Sequence, residues 1–111
     1  MEFSSLQVRA LEVRAQFEHW EREQYGRAWT LEELVLGLMG DVGDLAKLIQ
    51  AHEGVRHIDS AREGLEHELA DVLWSIIVIA DRSGVDLAGA FERTMDELED
   101  LLRSRAGKHD A

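Results

Sequence analysis

The stretch HELADVLWSIIVIA, residues 67–80, decides the fold class, because between Leu69 and Ala80 only Asp71 and Ser75 are polar. It shows no sustained alternation of apolar and polar positions, so a half-buried strand is excluded, and with its flanks it predicts a helix over roughly Ala61–Arg82. Val72, Leu73, Trp74, Ile76 and Ile77 already go most of the way round the helical wheel. A helix that is apolar on all sides must be surrounded. Three partner helices of a small chain can hardly cover every side, so the expectation is a homo-oligomer, either homodimer or homotetramer. The alternative is a central helix in a tight monomer.

Three further helices flank this one. The first is expected over Ser4–Tyr25, with Leu6, Val13, Phe17 and Trp20 on one side, and Gly26 ends it. Thr30 followed by Glu33 has the capping-box pattern and opens a second helix lasting to about Glu53. A polar connection leads to the third. Ser83 and Gly84 close that helix, and Asp86 is a suitable N-cap for a fourth over Leu87–Arg105. The reading is all-α: a four-helix antiparallel bundle forming one domain over 1–111, with its core in 30–105 and a frayed tail at 106–111.

Asp41 and Asp44 lie in GDVGDLAKLIQ (40–50), and Glu68 and Asp71 in the quoted stretch, each pair three residues apart. Residues so spaced occupy neighbouring turns of one helix face. Burying four acids is costly unless something positive neutralises them. Between Glu63 and Asp81 there is no Lys or Arg, and Lys47 falls on the far side of its helix from Asp41. If the second and third helices run antiparallel, the two pairs face each other. Convergent carboxylates suit a hard divalent cation, Mg2+ or alternatively Mn2+. Other metal chemistry fails on spacing. No Glu is followed three residues later by His, as di-iron bundles require. His67-Glu68 has Asp71 where a zincin helix needs its second His.

Composition narrows the remaining classes. The chain lacks cysteine, which excludes thiolate metal sites and disulfides and is compatible with a cytoplasmic location. Its formal charge of −11 repels nucleic-acid backbones, so no nucleic-acid polymer is expected as partner, whereas a nucleotide carrying its own cation is not excluded. MEFSSLQVRALEVRAQ is charged, without the apolar core of a signal peptide, and no apolar run approaches the ~20 residues of a membrane span.

GDVGDLAKLIQ, HELADVLW and SGVDLAGAF together resemble the MazG-like all-α nucleoside triphosphate pyrophosphohydrolases, which include the dCTP pyrophosphatases; the resemblance covers about Leu31–Met95. It implies magnesium-dependent cleavage of a (d)NTP to the monophosphate and pyrophosphate by an oligomeric helical bundle, with a house-cleaning role among nucleotides. It places the metal ligands on Asp41, Asp44, Glu68 and Asp71, the residues that spacing selects independently. Asp44 is the candidate for orienting the attacking water, and Trp29 and Trp74, with Trp20, are candidates for a flat slot receiving the base. Departures are Gly40 at the place of the first family Glu, Asp for Glu at 41 and 44, and Thr94 and Leu98 where the family often has Lys and Asn. Arg93 or Arg103 would then have to meet the phosphates. The alternative is a non-catalytic bundle serving as an interaction or nucleotide-sensing module.

Overall fold

Thr30 and Glu33 show how local chemistry sets the helix boundaries. The Thr30 hydroxyl accepts from the Glu33 amide at 3.2 Å, and the Glu33 carboxylate accepts from the Thr30 amide at 3.1 Å. Two otherwise orphaned donors at the helix start are thereby satisfied. Arg27 grips the same carboxylate at 2.6 Å, and that bond is the main reason the Glu33 pKa falls to about 2. At the preceding helix end, Gly26 adopts a φ of 78°, and its amide bonds to the Arg22 carbonyl. Asp86 caps the last helix by accepting from the Gly89 amide at 3.1 Å.

The computed structural model describes residues 1–109, with side chains as far as Gly107. It contains four helices, α1 (Phe3–Tyr25), α2 (Leu31–His52), α3 (Ala61–Arg82) and α4 (Leu87–His109), and no strand among the described residues. The all-α reading holds. α4 runs to His109, four residues past the Arg105 at which the sequence ends it. No proline interrupts it, and one glycine at 107 costs only ~1 kcal/mol in a helix interior. Asp110 and Ala111 lie outside the described residues.

The α2–α3 hairpin is the tightest packing in the chain. Gly64 of α3 faces Leu48 of α2: a Cβ there would stand 2.9 Å from the Leu48 Cδ2 atom, the end of a side chain that can turn aside. From this contact the helices run antiparallel. α1 lies alongside α3 in the same direction: the Trp74 indole donates to the Ala10 carbonyl at 3.0 Å, and Arg82 meets Glu18 at 3.7 Å. Both links carry the same sequence offset. Phe17 packs on Trp74 with ring centroids 5.5 Å apart.

The expected apolar side of α1 is not its buried side. Phe17 and Trp20 remain 44% and 46% exposed, whereas Ala10, Arg14 and Glu21 are buried. The physical reason is pairing: Arg14 donates to both Glu21 oxygens, at 2.9 and 2.7 Å, and neutralised charges can turn inward.

α4 meets little besides α3. The chain is accordingly extended, 64 × 40 × 28 Å with a radius of gyration of 18.3 Å. A compact chain of this length would have a radius of about 13 Å. Leu36, Met39, Leu69, Phe91 and Leu102 all lie in the open. Replacing Thr30 by Ala removes a side-chain cap at α2 and is expected to lower stability by about 1 kcal/mol, with Thr30→Ser close to wild type. Denaturant melts of the three proteins check this.

Candidate metal centre and adjoining cleft

The Leu48–Gly64 contact fixes what faces what between α2 and α3. Four residues back along α2 is Asp44, and four forward along α3 is Glu68; three more in each direction gives Asp41 and Asp71. Acid therefore stands opposite acid at two successive levels. Asp41, Asp44 and Glu68 bring one carboxylate oxygen each within 4.8 Å of the others. Asp71 is outside that trio but near enough for its charge to act on Asp41.

This grouping is electrostatically unfavourable by itself. Burial and then the Asp71 charge push the Asp41 carboxyl up to about 6, with its hydrogen bond to Asp71 and the Glu68 and Asp44 charges adding to the shift. One Glu68 oxygen, Oε2, is buried without any hydrogen-bond partner. Among the described residues none of the four acids forms an ion pair with Lys, Arg or His. Convergent oxygens, an orphaned carboxylate oxygen and no protein cation are the donor set that a hard divalent ion requires. The residues present fit such an ion.

A cleft of about 340 Å3 adjoins the acids. Asp41 and Asp71 lie at its edge, and Phe17, Trp20, Trp29 and Trp74 give it an aromatic lining. Trp29 and Trp74, far apart in the chain, thus share one cavity. Arg93 does not line it. Its guanidinium lies against Gly89 at the start of α4, where Asp86 also points, and α4 follows the end of α3 at Arg82, ~16 Å along that helix beyond Asp71. Arg103 pairs instead with Asp100 and Glu99 on its own helix.

Among the lining residues that sequence reasoning missed, two are charged, Arg14 and Glu21. They are 5% and 3% exposed, the only charged residues so buried among those described. Burial would raise the Glu21 pKa, but hydrogen bonds from Arg14 and from the Trp29 amide outweigh it and hold the carboxyl below its usual range. The available signal was weak: Arg14 and Glu21 are seven residues apart, on one helix face two turns distant.

Fold and site together define an all-α domain with an acidic, divalent-metal-compatible centre beside an aromatic cleft. The MazG nucleotide pyrophosphohydrolase domain matches residues 29–102, and the chain belongs to this family. Neither the curated proteins nor the solved structures yield a match to it. No helix among the described residues is long and apolar enough to cross a membrane.

The Asp41 shift has a measurable sign. Its folded pKa of about 6 lies above the ordinary 3.8, so its contribution to metal-free stability is full below pH 3.8 and is lost as pH rises through about 6. Metal-free Asp41→Asn is therefore expected to be more stable than wild type near neutral pH, with the gap closing on acidification. Thermal melts in chelator across this range test it. A gap independent of pH would count against crowding of the four acids.

Proposed function

We propose that this protein is a magnesium-dependent pyrophosphohydrolase that cleaves a deoxynucleoside or nucleoside triphosphate to the monophosphate and pyrophosphate. The observation that carries the reading is the juxtaposition of the acidic centre with the aromatic cleft through Asp41 and Asp71, which border both. A triphosphate drawn to the centre can lay its base among the rings of Trp29 and Trp74. Stacking there tolerates different bases, since every base has a π-face. The dCTP pyrophosphatase-like branch is the finer assignment, resting on Gly40 followed by Asp41, where that branch looks similar.

In this mechanism Asp41, Asp44, Glu68 and Asp71 hold the cation. When bound, Mg2+ (or Mn2+) supplies a Lewis acid that favours deprotonation of water and offsets charge on the leaving pyrophosphate. Asp44 is the exposed member of the four, which supports its orienting the attacking water and receiving its proton. The water oxygen bonds to the α-phosphorus as the bond to the bridging oxygen breaks, and pyrophosphate departs. The aromatic walls keep the base out of bulk solvent and hold the α-phosphorus at the acids.

One observation favours a non-catalytic, nucleotide-sensing module instead: among the described residues of a single chain the cleft has no uncommitted cation, Arg14 being held by Glu21 and Arg93 lying elsewhere. A second copy resolves this shortage. The chain exposes 8373 Å2, against about 6,200 Å2 for a compact protein of its mass. The surplus of roughly 2,000 Å2 per chain exceeds what each partner buries in a standard interface and suits an obligate homodimer or homotetramer. Such an assembly can bring an arginine of one chain, Arg93 among the candidates, to the phosphates held by another.

Turnover is tested by pyrophosphate release from a panel of dNTPs and NTPs, dCTP included, with magnesium or manganese. Glu68→Gln and Asp71→Asn are each expected to lower kcat/KM by more than about 100-fold, since even groups one shell removed from a metal cost 10–100-fold. Metal binding without release from any nucleotide would establish the sensing module. Sedimentation equilibrium is expected to give at least twice the 12.6 kDa chain mass. A monomer at micromolar concentration would remove the oligomeric part of this reading.

A further inference from the structure

Arg14 and Glu21 present a problem that stability alone does not solve. They are more deeply buried than most of the apolar residues around them. A buried ion pair is often no more stabilising than two apolar side chains of similar volume. This pair is not fully satisfied either. Arg14 Nε has no hydrogen-bond acceptor, and the nearby Glu18 carboxylate, at 3.5 Å, is in ion-pair range only.

The geometry does offer control of position. Glu21 accepts from both terminal nitrogens of Arg14, which fixes its carboxylate in one orientation on α1. The same Oε1 atom that takes Arg14 at 2.7 Å also takes the Trp29 backbone amide at 2.8 Å. Trp29 belongs to the short connection between α1 and α2 and is 38% exposed, with no helix of its own to hold it. Glu21 is the side chain that ties this connection to the wall of the cleft, and all three residues line that cavity.

We propose that Glu21, oriented by Arg14, is a positioning residue that holds Trp29 as a preformed wall of the nucleotide cleft. The inference rests on the pyrophosphohydrolase reading for the identity of the ligand. Its physical content is preorganisation: a ring fixed before binding need not be ordered during it. Glu21 touches neither the acidic centre nor the scissile bond in this scheme. Its effect falls on ground-state affinity, which raises KM without a matching loss in kcat.

The test uses the full chain with 5-fluorotryptophan at its three tryptophans, the Trp29 resonance being assigned with Trp29→Phe. Arg14→Met/Glu21→Leu replaces the pair by apolar side chains and is expected to melt at or above the wild-type temperature. Its Trp29 resonance should shift or broaden before any nucleotide is added. Its affinity for α,β-methylene deoxynucleoside triphosphates with magnesium should fall about tenfold, the order of one lost stacking partner. For hydrolysable substrate, KM should rise correspondingly while kcat stays near wild type. Glu21→Gln keeps an acceptor for the Trp29 amide and should restore both the resonance and the affinity.

Unchanged nucleotide affinity in the double variant, or an unmoved Trp29 resonance, overturns the proposal. A fall in melting temperature and affinity together in both variants, without rescue by Gln, assigns the pair a merely structural role and also overturns it. If wild-type protein binds no analogue in the panel, the enzymatic reading fails separately. The nucleotide-free Trp29 resonance then decides alone whether Glu21 positions that ring.

Discussion

Where α2 and α3 run side by side, Leu48 lies against Gly64, and that register brings Asp44 to Glu68 and Asp41 near Asp71. The rest of the site depends on this pairing. A shift of one residue along either helix would rotate its acids by ~100° and disperse the four carboxylates. The hairpin thus holds together groups that repel one another, and burial, with the neighbouring acids adding to it, raises the Asp41 pKa. A divalent cation bound there would turn the same crowding into attraction and so would couple metal binding to the stability of the two helices.

α1 contributes differently. It crosses no acid toward the centre, but it closes the cleft through Phe17 on Trp74, the Trp74–Ala10 hydrogen bond and the Arg14–Glu21 pair. The chain therefore builds its cleft by two distinct means. Helix register sets the acidic end, and a charged clasp reaching into the α1–α2 connection sets the aromatic end. α4 takes part in neither. Its Phe91, Leu98 and Leu102, like Leu36 and Met39 on α2, remain open.

Much of this was legible in the residues themselves. Thr30-x-x-Glu33, Gly26 and Asp86 mark helix ends because each satisfies a local backbone need that no distant contact can override cheaply. The three-residue spacing of the acids was readable for the same reason, being a property of one helix at a time. Arg14 and Glu21 were not readable as buried residues. In a chain with 32% charged residues, any pair seven apart is unremarkable until the fold removes it from water. Nor could periodicity foresee that Phe17 and Trp20 would stay half-open, because the side of α1 that turns inward is chosen by its neighbours.

From the sequence alone came the helices, their order, the absence of strands and the four acids on two facing segments, since each follows from spacing, caps and composition over a few turns. Tertiary structure alone decided that the acids meet at levels set by Leu48 and Gly64, that Trp29 and Trp74 share one cavity, and that Arg93 lies away from it. The division has one physical cause. Helix identity is governed by contacts within three or four residues, whereas the meeting of side chains from different helices depends on packing distances and rotations that no local pattern encodes.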